Sequence, residues 1–115
     1  MAFDEDLAGR IRELIGGEKA LSEKRMFGGL AFLISGNMAI SASGQGGLLV
    51  RVDPGKSDAL AAAPHVEVAI MRGREMPGWL RVDADGVKTT PQLRRWVDEG
   101  VAFAQSLPGK PSDSG

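Results

Sequence analysis

The side chains best suited to meeting a partner are basic: Lys24, Arg25, Arg51, Arg72, Arg74 and Arg81, with Arg72 and Arg74 on either side of Gly73. With Trp79 they form the candidate binding set. Guanidinium groups around an aromatic ring suit an anionic ligand or a protein interface. The plainer reading is a solvated surface with local ion pairs to Asp53, Glu75 and Asp83.

Other motifs are weaker. Gly44-Gln45-Gly46-Gly47 has the composition of a phosphate cradle, but a cradle needs a strand before it and a helix after it. Here a strand follows, so a hairpin connection is expected. Gly28-Gly29 reads as a bulge or a close backbone approach. Asp83-Ala84-Asp85-Gly86 opens like a calcium loop, yet Arg94 stands where the closing Glu belongs, which leaves a turn. His65 is the only histidine, beside Pro64, with no second imidazole or thiol to share a metal. No G-x-S-x-G turn presents a nucleophile. No catalytic residue, metal site or cofactor is therefore expected.

The elements that must position these residues follow from periodicity. Leu7, Ile11, Leu14 and Ile15 recur at helical spacing behind Asp4, Glu5 and Asp6, and Gly16-Gly17 ends that helix. Residues 18–23 read as a connection. From Lys24 to Asp53 three antiparallel strands are expected. Leu30, Phe32 and Ile34 share one face of the first, and Ala31 and Leu33 the other, so that strand is central. A two-residue turn would align those three with Ala39, Ser41 and Ser43, whereas a three-residue loop, Ser35-Gly36-Asn37, aligns them with Met38, Ile40 and Ala42. The apolar pattern favours the longer loop with Asn37 left-handed.

A short helix from about Gly55 to Ala62 ends before Pro64. A fourth strand, Val66 to Met71, points Val66, Val68 and Ile70 inward, and a fifth, Trp79 to Asp83, points Leu80 and Val82 inward. Arg72 to Gly78 is the loop between them. Thr90 is expected to cap a last helix that buries Leu93, Trp96, Val97, Val101 and Ala104, with Gly100 on the buried stripe. A mid-helix glycine costs about 1 kcal/mol against alanine, so close approach to the sheet is its expected compensation. Arg51-Val52-Asp53 and Arg81-Val82-Asp83 echo each other as strand ends.

Composition sets the outer limits. At 115 residues, 43% hydrophobic and 25% charged, the chain is expected to be one globular domain over residues 1–107, with a disordered tail at 108–115. No cysteine is present, which excludes a disulfide framework, a thiolate metal site and a cysteine nucleophile. A net charge of −1 gives no overall pull toward nucleic acid or membrane. The acidic N-terminus and the lack of a long apolar run predict a cytoplasmic location.

Three segments together carry a resemblance: Lys24-Arg25-Met26-Phe27-Gly28-Gly29, Leu48-Leu49-Val50-Arg51-Val52-Asp53, and Arg72-Gly73-Arg74-x-Met76 ahead of Trp79. Over about residues 7 to 107 the chain resembles the N-terminal domain of the TfoX/Sxy proteins. The resemblance implies helix, three strands, helix, two strands, helix, and a link to regulation of natural competence. It implies no catalytic residue. The chain departs from the family in having no tyrosine, and a stand-alone N-terminal domain without the family's C-terminal one is expected.

The combined expectation is a single α+β domain, α-β-β-β-α-β-β-α, with a mainly antiparallel five-stranded sheet and helices on one face. Its expected role is a non-enzymatic regulatory module that binds an unidentified protein, with self-association into a homodimer one form of that binding. A nucleic-acid-binding accessory role through the arginine patch is the alternative. A small-ligand-binding or enzyme domain is the third reading.

Overall fold

The computed structural model describes residues 5–26, 28–44 and 46–108. Its elements are α1 (Glu5–Ile15), β1 (Leu21–Met26), β2 (Gly29–Ile34), β3 (Asn37–Ala42), β4 (Leu48–Arg51), α2 (Ser57–Ala61), β5 (Val66–Met71), β6 (Arg74–Val82) and α3 (Thr90–Ser106). The strands form one antiparallel sheet in the order β1-β2-β3-β4-β6-β5.

The α+β class holds, with six strands rather than five. The additional strand is β1, Leu-Ser-Glu-Lys-Arg-Met, which pairs with β2 over its whole length. It lacks apolar alternation because Glu23, its middle inward position between Leu21 and Arg25, is met by charge instead of by core. Arg12 of α1 grips Glu23 through two bonds of 2.7 and 2.9 Å. As an edge strand carrying Glu, Lys and Arg, β1 is also protected against pairing with another sheet.

The inner face collects the core. Leu30 and Phe32 lie beside Ala42 and Ile40, which lie beside Leu48 and Val50, then Val82 and Leu80, then Val66 and Val68. Leu7, Ile11 and Ile15 of α1 and Leu93, Trp96, Val97, Val101 and Ala104 of α3 close over it, and Leu60 of α2 packs at its margin. Each large side chain removed from water stabilises the fold by roughly 1.5–3 kcal/mol. Gly100 lets α3 come close: a Cβ there would stand 2.3 Å from the Ala39 carbonyl oxygen.

The β2–β3 hairpin differs from expectation in an instructive way. Its turn is the two-residue Ser35-Gly36, both left-handed at φ 51° and 81°, and Asn37 is already in the strand. A bulge then shifts the register, so that Phe32 faces Ile40 while Leu33 faces Met38. The expected partners Ile40 and Ala42 are thereby recovered, Met38 moves to the outer face, and Ala39 joins the core.

Three boundaries are corrected. Arg72-Gly73 alone, at φ 54° and 78°, forms the β5–β6 turn, and Arg74 to Gly78 belong to β6. The register also shifts between Val68 and Ile70, and Ile70 is 62% exposed instead of buried, while Ala69 is buried. Thr89, not Thr90, caps α3, in a box where its hydroxyl accepts from Gln92 N–H and Gln92 accepts from Thr89 N–H. After α1 the left-handed residue is Ala20, at φ 60°, and neither Gly16 nor Gly17 takes that role. Of the expected tail, Pro108 accepts a 3.0 Å bond from Asn37 Nδ2, and residues 109–115 lie outside the described residues.

Candidate functional site

The described helices all pack on the inner face, so the outer face supplies the open surface of the sheet. Its central row runs Lys24, Ala31, Ser41, Leu49, Arg81, Glu67 from edge to edge. Small Ala31 and Ser41 lie buried between larger neighbours, and Leu33, Leu49, Trp79 and Arg81 are half-exposed.

Arg51 and Trp79 are register partners on β4 and β6. The Arg51 guanidinium lies 5.2 Å from the Trp79 ring centre and 5.6 Å from that of Phe103 on α3. This reach to a helix is possible because the described β3–β4 ladder stops at Ile40–Val50, one residue before Arg51. A cation near two rings is worth about 0.5–1 kcal/mol per ring at exposed sites and more when desolvated. Arg51 therefore joins α3 to the sheet as well as bordering the open face.

The structure divides the expected site residues into three groups. Arg51, Trp79 and Arg81 come together, Arg81 following Trp79 by two residues on the same face of β6. Arg72 and Arg74 are exposed at the β5–β6 hairpin end. Lys24 and Arg25 are exposed on β1, four strand spacings from β6, which is roughly 19 Å. Arg25 points to the inner side and lines a recess with Glu5, Arg12 and Glu23.

A cleft of about 460 Å³ lies beside Arg81, where β4 and β5 begin and β6 ends, and Gly47, His65, Glu67 and Asp83 line it. Gly47, at φ 69°, is required there, since a Cβ would stand 2.1 Å from the Val82 carbonyl oxygen. That contact gives the glycine cluster its meaning as a hairpin connection laid against β6. Asp83 Oδ1 accepts from Asp85 N–H at 3.1 Å and Gly86 N–H at 3.2 Å, and His65 Nδ1 stands 3.3 Å away. Lys88, 3.0 Å from Asp85, holds that carboxyl below its ordinary range, with His65 adding a smaller pull in the same direction.

The Arg-Val-Asp echo has structural content. In each copy the valine is buried in the core and the aspartate caps a 3-10 turn, Asp53 by accepting from Gly55 N–H at 2.9 Å. The meeting of His65 with Asp83 and Asp85 was not legible in the sequence, because 17 residues separate His65 from Asp83. The signal that locates it is the β5–β6 pairing, in which Asp83 N–H donates to His65 C=O at 2.9 Å.

In a comparison against family models, the model of the TfoX N-terminal domain matches residues 13–104, a range that contains all three segments quoted above. The chain belongs to the TfoX N-terminal domain family. The matched range of this TfoX-type domain takes in only the C-terminal end of α1, from residue 13, together with the whole sheet and nearly all of α3. Neither a curated protein nor a solved structure matches the chain. Among the described residues no helix is long and apolar enough to cross a membrane.

Proposed function

We propose that this TfoX-type domain is a non-enzymatic regulatory module that binds another protein through the outer face of its sheet. The observation that carries the reading is the one-sided packing: the described helices cover the inner face, while Leu33, Leu49, Trp79 and Arg81 border solvent on the other. The patch continues to the free edge, where Arg81, Glu67 and Ile70 line a shallow groove. Ile70 is the one exposed large apolar side chain among the described residues. A patch of apolar and aromatic groups with arginine at its rim is the composition of a protein interface. The family likeness makes control of competence gene expression the process in which such binding would act, and self-association is one form it would take.

Nucleic acid fits less well. The basic residues are spread over three separate places, and Glu67 and Asp83 stand beside Arg81. A pull-down from native cytoplasm with wild-type and Arg81→Glu baits tests the reading, with light scattering to report self-association. Loss of a captured or self-associated partner in the variant supports it, and unchanged binding moves the site elsewhere. A labelled oligonucleotide titrated at low and high salt separates the alternative, because phosphate contacts weaken steeply as salt rises. Tight, salt-sensitive binding would replace the protein reading.

A further inference from the structure

Two motifs that carry no chemistry separately are joined by the fold. His65 lacks a second imidazole, and Asp83-Ala84-Asp85 lacks the rest of a calcium loop. Pairing of β5 with β6 brings them together: His65, Asp83 and Asp85 each offer a ligand atom, and these atoms all lie within 4.8 Å of one another. We propose that these three side chains bind a first-row divalent cation of the zinc class at the mouth of the 460 Å³ cleft.

The donor set chooses the metal. One imidazole nitrogen with two carboxylates suits zinc, cobalt or nickel better than calcium or magnesium, which prefer oxygen ligands throughout. The distances fit as well. Ligands held about 2.1 Å from a tetrahedral ion stand about 3.4 Å apart, and His65 Nδ1 lies 3.3 Å from Asp83 Oδ1. That separation is long for a hydrogen bond to a carboxylate.

Asp83 is held in place by its two backbone donors. Asp85 is exposed and must close the remaining gap by giving up Lys88. Two cations, Lys88 and Arg81, oppose the ion, and Glu67 across the cleft partly offsets them. Three protein ligands leave coordination positions open toward the cleft, where water or a small anionic ligand would complete the shell.

The chain makes the test clean. With one histidine and no cysteine, any imidazole coordination in the untagged protein comes from His65. Co²⁺ titration by calorimetry and visible absorption is expected to show one site. Paramagnetic broadening should be centred on the His65 ring and the Asp83–Asp85 amides. His65→Asn tolerates the left-handed backbone at φ 69°, and it should weaken binding by about tenfold or more, with Asp85→Asn acting in the same direction. Absence of binding to the wild type, or equal binding by folded His65→Asn, overturns the proposal.

Discussion

Gly100→Ala provides a sharp test of how α3 meets the sheet. On an exposed helix the change would stabilise by about 1 kcal/mol. Here the new Cβ would stand 2.3 Å from the Ala39 carbonyl oxygen, 3.0 Å from its carbonyl carbon and 3.4 Å from Val50 Cγ1. Reaching ordinary contact requires a retreat of about 1 Å. The obstacle is backbone, which cannot rotate away as a side chain could.

Overpacking of this kind costs typically 1–3 kcal/mol. Taking the upper end and subtracting the propensity gain leaves a net loss of about 2 kcal/mol. For a domain of this size that lowers Tm by roughly 8 °C. Gly9→Ala is the matched control, since nothing lies within 4 Å of its added Cβ in α1. It should raise stability by up to about 1 kcal/mol. Urea and thermal unfolding of both variants measure the contrast. Stabilisation by Gly100→Ala equal to that by Gly9→Ala would refute the close approach of α3 to β3.

Two further outcomes follow from the charged groups. Arg51→Lys should destabilise by roughly 0.5–1 kcal/mol in urea unfolding, because an ammonium does not stack between Trp79 and Phe103 as a planar guanidinium does; no change would detach Arg51 from that role. The hydrogen bond from Arg12 holds the Glu23 carboxyl below its ordinary range. A depressed folded value means that its contribution is complete above the ordinary glutamate pKa of about 4.3 and is lost as pH falls through the folded value. The difference in unfolding midpoint between wild type and Arg12→Ala should therefore be smaller at pH 3 than at pH 7, and a constant difference would contradict this.

Much of the fold was legible because core strands carry their burial in their spelling. Leu30, Phe32 and Ile34, apolar on alternate positions with Ala31 and Leu33 between, mark an interior strand, and β2 is flanked on both sides, although it lies one in from the edge and not at the centre of the sheet. Strand β1 was hidden because charge on α1 satisfies its inward Glu23, which removes the apolar alternation that identifies a strand. The β2–β3 register came out right for Ile40 and Ala42 by a route the sequence does not display, a tight turn corrected by a bulge. Ile70 was misplaced for a related reason: the irregularity after Val68 breaks the period-two rule on which inward pointing rests.

At the candidate site, the pairing of Arg51 with Trp79 needs β4 to lie beside β6 and was not legible, whereas the common face of Arg51, Trp79 and Arg81 follows from alternation. The cleft does not. It depends on which loop ends the sheet brings together, and that is a property of strand order.

The most direct measurement of the interface is capture of a partner from a native cell extract by three folded baits: wild type, Leu49→Arg and Arg94→Glu. Leu49 lies at the centre of the outer face beside Arg81, whereas Arg94 is exposed on α3. Binding through the open side of the sheet predicts that wild type and Arg94→Glu retain the same partner and Leu49→Arg loses it. Retention by Leu49→Arg with loss by Arg94→Glu would place the contact on the helices and contradict the account.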